Sequence, residues 1–231
     1  MQISLQQVLE VNSAPIDWVV NPFIVREERV VVCGEWSAFK SWILLHLGLH
    51  IAAGIPWLGF PVQQSSVLYV DEEMHLSTLS RRLRRLCLGV GIQDAPFHVA
   101  SREGLTVSGR SKLINEFDVI IVEALRRVLA GDENRAADIS AFWRDITRMT
   151  KGSTLLISHH MNKPYEGGRL RDRPSGSTDI MAGGDAAYTV VRMGGSTSKI
   201  ECIRSRIGIE PPPILVSVTD DRDATLITKV S

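Results

Sequence analysis

Val30-Val31-Val32-Cys33, then Gly34-Glu35-Trp36-Ser37-Ala38-Phe39-Lys40-Ser41, then an apolar helical run from about Lys40 to Ala53, is the stretch on which the fold turns. Consecutive apolar, β-favouring residues predict a buried strand. The loop after it meets the phosphate-binding pattern G-x-x-x-x-G-K-[ST] at Gly34, Lys40 and Ser41. It departs from that pattern at Phe39, where glycine is expected. Backbone N–H groups around Ser37–Ser41, with the helix N-terminus, would form a positive nest for phosphates. Lys40 would neutralise the β- and γ-phosphates, and the Ser41 hydroxyl would ligate Mg²⁺. Phe39 is the point of tension: if its backbone needs a positive φ, a bulky residue there costs about 1–3 kcal/mol. The plainer alternative is a surface loop capped by Ser41, with a snorkelling lysine.

Outward from this loop, short apolar runs alternate with helical stretches, the pattern of a parallel sheet with crossover helices. Strands are expected at Ser66–Val70, Asp118–Val122 and Ser153–Ile157, with an amphipathic helix over His75–Leu88 and another over Asn134–Met149. From about Ala186 the texture changes. Tyr188–Arg192, Lys199–Arg206, Ile214–Val218 and Thr225–Lys229 are short, β-branched and separated by turn residues, and are read as mixed or antiparallel strands extending the sheet. No repeat or linker divides residues 1–231, so one α/β domain is expected. The motifs fall at the C-terminal ends of strands, where open α/β sheets place ligands.

Composition narrows the class. Lys and Arg total 26 against 26 Asp and Glu, which removes a bulk basic surface as an argument for a nucleic-acid partner. The balance is uneven along the chain, however: residues 163–206 hold 8 basic and 5 acidic side chains. Cys33, Cys87 and Cys202 lie far apart with no CxxC, which argues against a disulfide framework and fits a reducing cytoplasm. The first residues read as no signal peptide, and the apolar window Trp42–Phe60 is too broken by His, Gly and Pro for a membrane span.

The chain resembles the RepA-like branch of the RecA superfamily, ATPases related to hexameric plasmid and phage replicative helicases. The residues that carry the resemblance run through nearly the whole chain: Trp18–Phe23, Cys33-Gly34-Glu35, Phe39-Lys40-Ser41-Trp42, Gly54–Pro61, Val67–Met74, Gly131–Asn134, Ser158–Lys163 and Arg204–Gly208. Some members of that family carry an aromatic before the loop lysine, as Phe39 does here. The resemblance implies a RecA-like core and a Mg²⁺–ATP site built on Gly34-Glu35-Trp36-Ser37-Ala38-Phe39-Lys40-Ser41-Trp42. It makes Glu73 the catalytic base that polarises the attacking water, with Asp71 and Glu72 less favoured. In the metal-holding position the family would present an Asp; this chain has Glu123, one methylene longer, so slow turnover is expected.

His159 and His160 follow a strand, and two in tandem before Met161-Asn162-Lys163 favour a γ-phosphate sensor over a zinc site, since adjacent strand residues point to opposite faces. By resemblance the sensor is His160 with Asn162. Arg204 and Arg206 share one strand face by period-2 geometry. They are either an exposed basic face or, as the resemblance implies, fingers reaching a neighbour's γ-phosphate, which requires a ring, hexameric in that family.

Lys163–Pro174 is a glycine-bearing basic loop, with Lys163, Arg169, Arg171 and Arg173 as candidate single-stranded DNA contacts and Tyr165 as a candidate stacking ring. A solvated surface loop is the alternative. Arg81-Arg82-Leu83-Arg84-Arg85 reads as a helix face, solvated or at a subunit interface. Three functions fit. The first is an ATP-driven motor acting on single-stranded DNA in replication. The second is an ATP-binding switch with weak or no hydrolysis, suggested by Phe39 and Glu123. The third is a P-loop kinase of small molecules.

Overall fold

The apolar runs Val30–Cys33, Val119–Val122 and Leu155–Ile157 are buried in the inner strands of one sheet, because a strand covered on both faces has no polar side to show. The computed structural model describes residues 3–11, 15–108, 114–162 and 174–230. In chain order the elements are α1 (Leu5–Val11), β1 (Trp18–Val20), β2 (Ile24–Val25), β3 (Arg29–Gly34), α2 (Lys40–Ala53), β4 (Val67–Asp71) and α3 (Leu76–Val90). There follow β5 (Phe97–Ser101), β6 (Val119–Glu123), α4 (Leu125–Val128), α5 (Ala136–Met149), β7 (Thr154–His160), α6 (Asp179–Gly183), β8 (Ala186–Gly194), β9 (Thr197–Ser205), β10 (Ile214–Asp221) and β11 (Ala224–Val230).

The main sheet runs β11-β10-β9-β8-β3-β7-β6-β4-β5 among the described residues. From β8 to β5 neighbouring strands are parallel. From β8 outward to β11 they are antiparallel, as the short β-branched segments predict. The loop after β3 and the ends of β4, β6 and β7 therefore share one end of the sheet. β9 runs the other way, so its C-terminal Arg204 lies at the opposite end.

Helix α2 is buried over nearly its whole length and circumference. One core cluster explains why: α2 packs with Val67, Tyr69, Val119 and Ile121 of the parallel strands and with Val216, Val218 and Ile227 of the C-terminal strands. Helix α5 is amphipathic instead, turning Ile139, Phe142, Ile146 and Met149 onto the other sheet face against Ile120, Val122, Leu155 and Ile157.

Two local arrangements close the fold. Gly89 lies against β11, where a Cβ would come within 2.3 Å of the Thr225 carbonyl, so only glycine allows the approach. Arg85 secures the same edge by donating to Thr225 Oγ1 at 3.1 Å and to the Ala224 carbonyl at 3.0 Å. At the C-terminal half of α2, Trp57 Nε1 donates to His46 Nδ1 (3.2 Å), which puts the His46 proton on Nε2. That proton meets His50 Nε2 (2.9 Å), and His50 Nδ1 then donates to the Pro56 carbonyl (2.8 Å). The chain is satisfied only when both rings are neutral. Burial and the neighbouring ring lower the His46 pKa to about 3.

The structure departs from the sequence pattern in several places. The segment 97–101 is a strand that periodicity did not reveal, since none of its residues is fully buried. The predicted strand 153–157 runs from Thr154 to His160, and Arg206 falls just beyond β9 rather than within it. The Arg81–Arg85 cluster is not wholly a free face, because Arg85 grips β11 and Arg82 lies over the Trp42 ring, 4.9 Å from its centroid.

Candidate functional site

Gly34 closes β3 and Lys40 opens α2, so the loop between them is short and its backbone is forced to turn sharply. A Cβ on Gly34 would sit 3.0 Å from Lys40 Cδ, which keeps this position bare. Ser37 (φ 59°) and Phe39 (φ 60°, ψ 17°) are both left-handed. The tension foreseen at Phe39 is therefore real: it stands where glycine would stand without strain. Among the described residues, the N–H groups of Ser37, Phe39, Lys40 and Ser41 have no protein acceptor, as a phosphate nest requires.

The carboxylate of Glu123, at the end of β6 and 2 % exposed, is the hub of the site. Lys40 Nζ lies 3.1 Å from its Oε1, and Ser41 Oγ donates to the same oxygen at 2.8 Å. The Tyr69 hydroxyl donates to Oε2 at 2.6 Å. Burial first, and the Glu123 charge second, drive the Tyr69 pKa far up, so the phenol stays a donor. Tyr69 escaped the sequence reading. Its signal was available: Tyr69 pairs with Ile121, so strand alternation places it on the same sheet face as Glu123.

The three acids after β4 separate by geometry. Asp71 is fully buried, its Oδ1 accepting from Glu73 N (2.8 Å) and Met74 N (2.7 Å), and burial raises its pKa. Glu72 holds the backbone of Gly104 and Leu105 at 3.1 and 3.0 Å. Glu73 alone of the three lines the cleft, 3.8 Å from His160 Nε2 and 3.5 Å from Arg127 Nε. Its hydrogen bond to His160 leads the causes that hold its pKa below the usual carboxylate range, so it is ionised and able to accept a proton.

The two histidines separate in the same way. His159 is fully buried, donating from Nε2 to the Ser175 carbonyl at 2.8 Å, and burial lowers its pKa. His160 faces the cleft and stacks on Trp36, ring centroids 5.8 Å apart and planes at 22°. Trp36 itself is 81 % exposed.

The cleft has a volume of about 750 Å³ and is lined by residues 35–42 with Glu73, Glu123 and His160. It also draws in Arg82, Arg126, Arg127 and Arg192, none of which the sequence had marked for this site. Asn162 is exposed and does not line it. Arg204 and Arg206 are not brought to it either. Arg204 Nη1 donates to the Met181 carbonyl (2.7 Å), and Arg206 donates to the Ala182 carbonyl (3.0 Å) and pairs with Asp185 (3.2 Å). They do share one face, as period-2 geometry predicts, but the antiparallel course of β9 puts that face at the far end of the sheet. Lys163, Arg169, Arg171 and Arg173 lie outside the described residues.

The donor set fits a small hard cation. Ser41 and Glu123 offer a hydroxyl and a carboxylate oxygen 2.8 Å apart. No group of three or more His, Cys, Asp and Glu residues suited to a metal occurs among the described residues, so phosphates and water would have to complete the shell, as Mg²⁺ prefers. No described helix is long and apolar enough to cross a membrane.

Among solved structures, the chain is similar to a helicase ATPase domain (12 % identity, TM-score 0.66, covering 98 % of this chain and 99 % of that one). It is also similar to the RadB recombinase (15 %, 0.62, 90 % and 93 %). The third is the flagellar accessory protein FlaH from Methanocaldococcus jannaschii (14 %, 0.61, 90 % and 91 %). At such identities the likeness is one of fold, and that fold is the RecA-like P-loop core. Among curated proteins, none matches the sequence. The family described as an AAA domain, AAA_25, matches residues 4–166, which span the phosphate loop, Glu73, Glu123 and His160. The chain therefore belongs to the AAA_25 family of AAA domains.

Proposed function

We propose that this protein is a Mg²⁺-dependent ATP hydrolase that works as a ring-forming motor on single-stranded DNA. One observation carries the reading: Lys40, Ser41, Glu73, Glu123 and His160, from four separate strand ends, meet around one cleft beside a loop with unpaired N–H groups.

The chain's own groups supply the following roles. Loop N–H groups and Lys40 bind the phosphates, Lys40 leaving Glu123 to do so. Ser41 and Glu123 would hold the metal, and Trp36, Trp42 and the rest of residues 34–42 wall the nucleotide. Mg²⁺, when bound, would neutralise charge on the β- and γ-phosphate oxygens. Glu73 orients the attacking water and takes its proton, while His160, with Asn162 behind it, registers the γ-phosphate. Arg204 and Arg206 act on the neighbouring subunit's nucleotide, for which they must leave α6 and Asp185. Lys163, Arg169, Arg171 and Arg173 contact the DNA backbone, each weakly, gaining strength when a ring aligns several copies.

Steady-state ATP hydrolysis with and without single-stranded DNA tests this. Turnover that rises with DNA and disappears in Lys40→Ala is expected; failure of the unaltered chain to bind ATP would overturn it. A second reading, an ATP-dependent switch with slow hydrolysis, is favoured by Glu123, whose two oxygens are already held by Lys40, Ser41 and Tyr69. Brisk turnover that Glu123→Asp fails to raise would exclude it.

A further inference from the structure

A loop that turns its N–H groups inward must turn carbonyls outward, and each carbonyl then needs a donor. From residue 35 to residue 39 every carbonyl has one. Three are satisfied locally: Glu35 O by Ala38 N (3.3 Å), Phe39 O by Ile43 N (2.9 Å) and Trp36 O by Ser37 Oγ (2.6 Å). The other two are satisfied from the β8–β9 hairpin. Buried Ser198 donates through Oγ to Ala38 O at 2.9 Å, and Arg192 donates through Nη1 to Ser37 O at 2.8 Å. The Arg192 guanidinium also covers the Phe39 ring, with Cζ 4.0 Å from the centroid. Its Nη2 donates to the Gly195 carbonyl, and its backbone N–H donates to Glu35 Oε2 at 3.3 Å.

The two left-handed residues of the loop, Ser37 and Phe39, are thus the two that the Arg192 side chain holds. We propose that Arg192 is a positioning residue for the nucleotide: its guanidinium and the Phe39 ring together replace the glycine of the ordinary phosphate loop. Glycine takes the left-handed turn freely. Phenylalanine takes it only under restraint, and a planar cation that stacks on its ring while donating to the carbonyl two residues back supplies that restraint. Lysine has no plane to stack and no second donor in a fixed direction. The inference rests on the nucleotide reading above and adds how an aromatic loop stays competent.

Calorimetric titration with Mg-ATPγS tests it on four chains: the unaltered protein, Arg192→Ala, Phe39→Gly, and both together. Arg192→Ala is expected to weaken binding about tenfold, the loss of one ring contact and one hydrogen bond. In the Phe39→Gly background the same change is expected to cost about threefold or less, since only the Ser37 hydrogen bond remains to be lost. Arg192→Lys is expected to bind nearly as weakly as Arg192→Ala while keeping the charge and the fold. That separates positioning from simple attraction between opposite charges. Equal losses from Arg192→Ala in both backgrounds, or an Arg192→Ala affinity within about twofold of the unaltered chain, would overturn the clamp and leave the nucleotide reading intact. No binding by the unaltered chain would overturn the nucleotide reading, and the clamp with it.

Discussion

The β8–β9 hairpin touches both ends of the sheet, and its two ends are built differently. At the loop end, Arg192 and Ser198 restrain a backbone with two left-handed residues, next to a Lys40–Glu123 pair whose side chains are only 8 % and 2 % exposed. At the far end, Arg204, Arg206 and Arg29 meet Asp185 and the carbonyls of α6 in an unstrained, partly solvated cluster, where Asp185 and Arg29 pair at 2.9 Å. Strain and buried charge gather where a ligand is to be held. Satisfied, exposed pairs gather where the chain need only be stable, or where a group must be free to leave for another partner.

Substitutions can break or sharpen that contrast. The largest effect is expected at the solvated end. Arg206→Ala should change stability by less than about 1 kcal/mol, as exposed pairs do, yet lower turnover by roughly 10³–10⁵ if it serves a neighbouring subunit. Mixing Arg206→Ala subunits with Glu73→Gln subunits should then recover activity, because some interfaces regain both groups; no recovery would assign Arg206 to structure alone. Glu73→Gln itself should cut turnover by roughly 10²–10⁴ while ATPγS still binds, since it keeps the shape and removes the base. Loss of binding in step with turnover would mean that Glu73 holds the ligand instead.

At the buried end, Glu123→Ala should destabilise the fold by about 3–5 kcal/mol in urea titrations, because it strands the Lys40 charge away from water. A cost near that of Arg206→Ala would show that the two ends do not differ. Away from both ends, the His46–His50 chain supplies a pH dependence. The unfolded His46 protonates below its ordinary value of 6.5, whereas the folded ring resists down to about 3. Over that window the unfolded state binds the extra proton, so stability is full above 6.5 and falls as pH drops, by about 1.4 kcal/mol per unit for this group. Thermal melts of His46→Gln should show a shallower fall between those values. Smallest of all, Trp36→Ala should shift stability by less than about 0.5 kcal/mol, given its exposure, while removing a fluorescence change on nucleotide addition.

The contrast also explains which features the sequence could reveal. Val30–Cys33 and the Lys40–Ala53 helix were legible because burial on both faces leaves a continuous apolar run, and the helix bounds agree. Glu123 and His160 were legible because each ends such a run. Arg82, Arg126, Arg127 and Arg192 were not: each comes from a different stretch of local pattern, and only the strand order converges them on the cleft. Arg204 was placed correctly on a strand, but at the wrong end of the sheet, because alternation fixes a face and says nothing of direction. Phe39 raised the right question from sequence; its answer, Arg192, lies far along the chain and needed the fold.

Everything at the loop end turns on what Lys40 does when nucleotide arrives. A crystal structure of the Mg-ATPγS complex measures it most directly. The prediction is that phosphates occupy the N–H groups of Ser37–Ser41 and that Lys40 Nζ has moved from Glu123 onto them. Phosphates bound elsewhere, with Lys40 still about 3.1 Å from Glu123 Oε1, would contradict it.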